Sequence, residues 1–236
     1  MEAEEFCVRK KEKCIHILTV NRKLANQLYI IEGNRLIFTN QALLEDDESI
    51  RLETVQADNM VLCYPADGLK GCLGKSQGVD LYSGVLGAYR FDTEEWRPKE
   101  GEDVIVHQVG MGRYTVSFPD NLLNGLKDMR LQLEYTGDIG HAFIENTLVN
   151  DNFANGATWE IGLKDFAGKL RKNIMTIYIT PLREEANVNV ESAMAGRFED
   201  SKGQTAELYK VGLCPVYEIM LLQKSRLSDR LSEEGE

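Results

Sequence analysis

The chain has 236 residues, 43% hydrophobic and 28% charged, a globular composition that excludes overall disorder and allows one or two domains with sizeable cores. Lys plus Arg number 27 against 38 Asp plus Glu, for a net charge of −11. Phosphate neutralisation needs clustered cations, so this balance excludes nucleic acid and anionic membrane surfaces as partners, and no run of about 18 apolar residues offers a spanning helix.

The opening stretch, MEAEEFCVRKKEKCIHILTV, is acidic and then basic, with no apolar segment ahead of a small-residue cleavage site, so it does not read as a secretory signal. Predicted strands follow at Ile15 to Val20, Gln27 to Ile31, Arg35 to Thr39, Ile50 to Val55, Met60 to Tyr64 and Val104 to Val109. From Arg113 to Phe118 the pattern alternates, with Tyr114, Val116 and Phe118 on one face. From Met129 to Tyr135 it alternates again, apolar at 129, 131, 133 and 135, polar between. Further strands are predicted at His141 to Ile144, Thr147 to Val149, Ile174 to Thr180, Ala206 to Val211 and Val216 to Leu222. Turn chemistry agrees at Glu32-Gly33-Asn34, Glu145-Asn146 and Asp200 to Gln204. Helical pattern is confined to Asp120 to Lys127, with Asp120 as cap, and to Ser225 to Ser232. Many short strands between turns predict an all-β fold, an antiparallel sandwich or barrel.

Between Pro65 and Gly101 the character changes, because Gly68, Gly71, Gly74, Gly78, Gly84, Gly87 and Gly101 break up the apolar runs. This stretch, 66–100, reads as a Gly-rich connection between an N-terminal β unit (1–65) and a C-terminal β-sandwich unit (101–236); the alternative is one sandwich with a long insertion.

The five cysteines are Cys7, Cys14, Cys63, Cys72 and Cys214, an odd number without a Cys-x-x-Cys pair. That excludes a zinc ribbon or a thioredoxin-type pair and predicts mostly buried thiols, with Cys63–Cys72 the one alternative bridge. Of the three histidines, His16 and His107 lie in apolar alternating runs and read as structural, and His141 begins a predicted strand. No Gly-x-Ser-x-Gly elbow, phosphate loop or His-Glu-x-x-His is present, so no enzyme signature emerges.

Four segments together resemble a known family: Tyr135-Thr-Gly-Asp-Ile-Gly-His-Ala-Phe143, Leu148-Val-Asn-Asp-Asn-Phe-Ala-Asn-Gly156, Trp159-Glu-Ile-Gly-Leu163 and Ile179-Thr-Pro-Leu182. They are similar to the accessory jelly-roll region of β-galactosidase-like proteins, glycoside hydrolase family 35. In that region a Tyr-x-Gly-Asp turn precedes a hairpin, followed by Asp-x-Phe-x-x-Gly-x-x-Trp and a strand ending in Pro-Leu. Ile17 to Arg22, Ile50 to Thr54, Val61 to Pro65 and Pro215 to Glu218 resemble the neighbouring strands, so the likeness touches about 15–65 and 104–222. It implies galactose-binding-like β-sandwich units from the non-catalytic part of a polysaccharide-degrading protein, whose periplasmic or secreted parent carries a catalytic barrel in cis or in trans. Family catalysis uses two glutamates, one in an Asn-Glu dipeptide, with carboxyls about 5–5.5 Å apart. This sequence has no Asn-Glu and no barrel alternation, so hydrolysis by the chain alone is not expected.

Carbohydrate is then the expected ligand, because an aromatic face stacks on a pyranose ring while carboxylates and amides bond its hydroxyls. The richest supply is Asn150 to Gly156, with Asp151, Asn152 and Asn155, beside Trp159 and Glu160. The same residues also serve tight turns, and Trp159 begins an apolar strand that could plug the sandwich. Trp96 is the second candidate, near Asp92, Glu94 and Glu95, and could equally pin the connection to a domain. Asp151, Asn155 and Glu160 supply oxygen ligands for calcium, but Phe153 falls where an EF-hand spacing wants another oxygen. No other cofactor is expected. Asp138 is read as accepting turn amide bonds. The alternatives to an accessory region are a stand-alone carbohydrate-binding module and a protein-docking module without a ligand.

Overall fold

The computed structural model describes residues 3–31, 35–45, 50–66, 69–73, 76–82, 84–92, 94–99, 103–170, 174–182 and 205–223. The fold is mostly β, built of antiparallel sheets, one of them curled as a half-barrel. Two compact units emerge, one of Met1–Glu95 with Tyr217–Glu236 and the other of Trp96–Val216. The turns predicted at 32–34 and 200–204 and the helix predicted at 225–232 lie outside the described residues.

The first unit begins with a two-stranded hairpin, β1 (Ala3–Lys10) and β2 (Lys13–Val20), paired without interruption from Ala3↔Val20 to Lys10↔Lys13. Its open end is anchored: Ala3, Leu18 and Val20 join a core with Leu24, Phe38, Leu62, Leu86 and Ala88. Leu24 lies on a four-residue helix, α1 (Arg22–Ala25), whose first turn is capped by the Asn21 side chain accepting from Leu24 N–H at 2.9 Å.

The rest of the unit includes β3 (Leu28–Ile31), β4 (Arg35–Phe38), β5 (Ala42–Glu45), β6 (Ile50–Thr54), β7 (Asp58–Tyr64), β8 (Leu69–Leu73), β9 (Ser76–Tyr82) and β10 (Leu86–Asp92). Five of these form a sheet in the order β3-β4-β7-β10-β9. The 66–100 stretch is therefore not a connection, since it supplies three strands. Glycine permits this: a side chain at Gly87 would collide with the Ala66 carbonyl, which is drawn in by Tyr89. The buried Tyr89 hydroxyl donates to the carbonyls of Leu69 and Ala66 at 2.6 and 3.0 Å. Leu86, Ala88, Tyr89 and Phe91 are all buried, so a Gly-rich sequence still contributes core.

The cysteine expectation also changes. Cys7 and Cys14 are joined across the hairpin, their Cα atoms 6.3 Å apart. Cys63 is a buried thiol that donates to the Pro65 carbonyl at 3.1 Å, not half of a bridge to Cys72. Cys214 is a partly buried thiol whose pKa is raised by burial and by the nearby Glu160 carboxylate. His16 and His107 are exposed rather than sequestered in apolar strands.

On the hairpin, Glu5 accepts from the Tyr64 hydroxyl and bonds His16 Nδ1, each at 2.7 Å. These two partners, Tyr64 first, hold its carboxyl below the usual 4.5. A folded pKa below the unfolded one means this clasp stabilises fully above about pH 4.5 and is lost as pH falls through the lowered value. Amide protection of the hairpin, taken relative to the intrinsic exchange rate at each pH, should accordingly fall on acidification in the wild type and lose that pH step in Glu5→Gln. An unchanged step in the variant would assign it to another group.

The second unit contains β11 (Ile105–Gly110), β12 (Arg113–Ser117), β13 (Asp128–Thr136), β14 (Ile139–Ile144), β15 (Thr147–Phe153), β16 (Trp159–Gly162), a 3₁₀ turn at Lys164–Phe166, α2 (Ala167–Leu170), β17 (Met175–Ile179) and the first part of β18 (Glu207–Gln223). One sheet runs β11-β12-β17-β14-β15; in the other, β13 lies between β16 and β18. Alternation decides which side chains enter the core. In β13, Met129, Leu131, Leu133 and Tyr135 are buried, while Arg130, Gln132 and Glu134 are not. They meet Tyr114 and Val116 of β12, Ala142 and Ile144 of β14 and Met175, Ile177 and Ile179 of β17 in one cluster. The two strands expected at 206–211 and 216–222 are one strand, which pairs with β13 through Val216 and with β6 from Tyr217 to Leu221.

The helix expected at Asp120 to Lys127 is a series of tight turns, with Leu122, Asn124 and Leu126 N–H each donating three residues back. Gly125, at φ 73°, takes the backbone out of the right-handed helical region. Glu145 and Asn146 do form a two-residue hairpin turn, both with positive φ (50° and 66°), between the paired Ile144 and Thr147.

Candidate functional site

Trp159, the first residue of β16, is 3% exposed. Its ring meets Tyr135 edge-on, with centroids 5.8 Å apart. Its indole N–H donates to Asn150 Oδ1 at 2.8 Å. Gly140 leaves room for it, since a Cβ there would come within 2.6 Å of the indole. Enclosed in this way, Trp159 has no free face for a sugar, and it is corrected from a candidate platform to a core residue.

The neighbouring amides are also engaged. Asn152 clasps Tyr135: its carbonyl accepts from the phenol at 2.8 Å and its amide donates to the same oxygen at 3.0 Å. Gly140 N–H donates to that oxygen as well, and burial, the largest influence, raises the phenol's pKa. Asn155 Oδ1 accepts from Ala157 N–H at 2.9 Å, an Asx turn. Glu160 stands on the outer side of β16, where it accepts from Gln132 at 2.7 Å and pairs with Arg130 at 3.3 Å. It is thus committed to its own sheet and is not gathered with Asp151 and Asn155 as a calcium cage. Asp138 contributes through its backbone, donating to Thr180 and accepting from Ala154. The side chain that accepts turn amides is Asp128, whose Oδ1 takes Met129, Leu163 and Lys164 N–H at 2.7, 3.1 and 2.9 Å.

Trp96 is half-buried, packs against the core of the second unit and donates to the Asn121 carbonyl at 3.1 Å. Asn121 in turn donates to the Arg97 carbonyl at 3.0 Å. This is the pinning role: Trp96 staples the chain entering the second unit.

What Trp159 and Trp96 lack is present on the opposite side of the β11–β15 sheet. Register places Arg113 beside Tyr178, Tyr178 beside His141, and His141 beside Asp151, a row across β12, β17, β14 and β15. Alternation turns Arg113, Tyr178 and His141 outward, because their neighbours Tyr114, Ile177, Ile179 and Ala142 are buried, and Asp151, paired with His141, is exposed. Three strand spacings make the row about 14 Å long. The Arg113 guanidinium lies 5.4 Å from the Tyr178 ring centre, and the His141 ring stacks 6.1 Å from Tyr178 and 6.3 Å from Phe143. A second row, Thr115, Thr176 and Phe143, runs alongside, and Phe153 is 71% exposed beyond Asp151. Among the described residues, His141 Nδ1 is buried without a hydrogen-bond partner. A buried N–H left unpaired is costly, so the ring proton belongs on Nε2, which makes that atom the donor. The face therefore combines flat aromatic surface, a guanidinium, a carboxylate, an imidazole donor and two hydroxyls.

A cavity of about 230 Å³ in the first unit is lined in part by the amides of Asn21, Gln27, Asn40, Gln41, Gln56 and Asn59. It is smaller than typical ligand pockets of about 300–1,000 Å³. Asn59 already accepts from Gln41 and Thr54 and donates to the Gln56 carbonyl.

Of the sequence-derived candidates, only Asp151 belongs to the aromatic face. Arg113, Tyr178, His141 and Phe143 were not singled out, although period-two alternation carried the signal: Tyr178 and Phe143 are aromatics at positions where a half-buried strand shows polar residues. The chain matches no protein-family model and no curated protein.

Proposed function

We propose that this chain is a non-catalytic accessory region, a jelly-roll β-sandwich, of a β-galactosidase-like glycoside hydrolase with a periplasmic or secreted parent. It braces a catalytic barrel held in cis or in trans and binds carbohydrate on the outer face of β12, β17, β14 and β15. The observation that carries the binding role is the outward row Arg113–Tyr178–His141–Asp151 with Phe143 beside it. Stacked rings offer the apolar surface that a pyranose face covers, and the charged and hydroxyl groups at its margin match sugar hydroxyls. Support for the family comes from where its motif residues fall. Gly137 and Asp138 separate β13 from β14, β14 and β15 make the hairpin, Trp159 starts the next strand, and Pro181-Leu182 follows β17.

The test is a glycan array probed with the wild type, Tyr178→Ala, Phe143→Ala and Trp96→Ala. Galactose-containing glycans should be retained by the wild type and Trp96→Ala and lost, by about tenfold or more in affinity, in the other two, whose folds are unchanged. Retention that survives both outer-face variants overturns the binding face. Hydrolysis of a nitrophenyl β-galactoside by the chain alone, abolished by mutating its own carboxylates, overturns the non-catalytic reading.

A further inference from the structure

The N-terminal hairpin carries a group of side chains that neither the sheets nor the sugar-binding face needs. Alternation puts Glu5, Cys7 and Arg9 of β1 on the same face as Cys14, His16 and Leu18 of β2. Cys7 lies directly opposite His16, and Cys14 one pair further along, opposite Arg9. One ligand atom from each of Cys7, Cys14 and His16 lies within 4.8 Å of the other two, and all three residues are exposed. Among the described residues this is the one such group of three or more His, Cys, Asp or Glu.

The imidazole is held in a particular way. Glu5 takes His16 Nδ1 at 2.7 Å, and the same Glu5 oxygen accepts from Tyr64 at 2.7 Å. With Nδ1–H given to a carboxylate, Nε2 keeps the free lone pair, and the ring orientation is fixed from behind. Metal-binding histidines are arranged so. A disulfide has no use for an oriented imidazole. Nor does the hairpin depend on its bridge for closure, since eight registered pairs already hold the strands together.

We propose that when the Cys7–Cys14 bridge is reduced, the two sulfurs and His16 Nε2 bind a thiophilic divalent cation of the zinc class, with Glu5 and Tyr64 fixing the histidine. The chemistry balances with a small-molecule thiol as reductant. Two thiol molecules become one disulfide as the Cys7–Cys14 bond breaks and two protein thiols form. Binding the cation then releases both thiol protons to solvent. Oxidation by a small-molecule disulfide runs the sequence backwards and ejects the cation. Two thiolates cancel the charge of a divalent ion, so Arg9, Lys10, Lys11 and Lys13 around the site do not oppose it, whereas they would repel calcium or magnesium held by neutral oxygens. Three protein ligands leave the fourth tetrahedral position to water.

The experiment uses the full chain, reduced with a phosphine, freed of reductant without oxygen, and titrated with Co²⁺ followed by Zn²⁺. Expected are a sulfur-to-cobalt charge-transfer band and intense visible bands of a tetrahedral site, saturating at one ion per chain and erased by Zn²⁺. The bridged chain should bind neither ion. Cys7→Ser and Cys14→Ser should each cut the charge-transfer band, and Glu5→Gln should weaken affinity about 10- to 100-fold with little change in the spectrum. As a check independent of variants, a small-molecule disulfide added to the zinc-loaded wild type should release zinc to a fluorescent chelator. The proposal is overturned if the reduced wild type gives no such band. It is equally overturned if the band survives in the Cys7→Ser/Cys14→Ser double variant, which would assign it to Cys63, Cys72 or Cys214.

Discussion

Trp159→Ala should cost about 3–5 kcal/mol of stability, the usual range for truncating a large buried aromatic. The indole is 3% exposed, it is edge-on to Tyr135, and its N–H is matched by Asn150. Removing it leaves a void between the two sheets of the second unit and orphans the Asn150 carbonyl oxygen. In a unit of about 120 residues each kcal/mol moves the melting temperature by several degrees, so a fall of roughly 10 °C or more is expected. Denaturant titration provides the measurement: the midpoint should drop while the slope stays constant, because the same surface is exposed on unfolding. A loss under about 1 kcal/mol would show that the ring is not sealed in the core. Should glycan retention vanish while stability holds, Trp159 would be a binding platform after all.

Gly112→Ala is the second large effect, and its cause is different. Gly112 sits in the connection from β11 to β12 with φ 61°, and its carbonyl accepts from Ile179 N–H at 2.7 Å. A Cβ there would run into the Ile179 carbonyl oxygen and come within 3.0 Å of Ala206 Cβ. Left-handed backbone alone costs a non-glycine residue about 1–2 kcal/mol. Collision with a hydrogen-bonded strand adds the penalty of overpacking, for a total of roughly 2–4 kcal/mol. Gly125→Ala separates the two contributions, because Gly125 has φ 73° and nothing within 4 Å of a built Cβ. That variant should lose only about 1 kcal/mol. Equal losses at the two positions would mean that the Ile179 carbonyl yields, and the steric account would be wrong.

Strands with one buried face were legible in the sequence, because burial imposes a period of two. The alternation from Met129 to Tyr135 appears in the structure residue for residue as buried and half-buried positions. Where neither side is buried in that way, the pattern fails. β1 carries Phe6 and Val8 exposed and closes its register by backbone pairing with β2, so its sequence predicts no strand. The glycines of 66–100 resembled a linker because composition does not reveal that a carbonyl must approach Gly87.

The candidate site was less legible for a related reason. Conspicuous residue types drew attention to Asn150–Gly156 and the tryptophans, yet those side chains are engaged in holding β15 and β16 to the core. The aromatic face depends on which strands are neighbours. Tyr178 and His141 are 37 positions apart in the chain and meet only because β17 pairs with β14. The cysteines failed in the same way, since no spacing rule anticipates a bridge across the tight end of a hairpin.

The path of β18 bears on how the chain can be made. Ile219 and Leu221, in its final stretch, are 3% and 1% exposed within the core that Ile50 and Leu52 also build. Without them β6 would lose its β18 pairing, and the core of the first unit would lack a wall. The unit encoded first is therefore finished last. As the polypeptide leaves the ribosome, residues 1–95 must wait through the synthesis of the whole Trp96–Val216 unit before their missing strand arrives. The intervening unit can close on its own residues in the meantime, so assembly proceeds from the middle of the chain outward, reversing the usual N-terminal-first order.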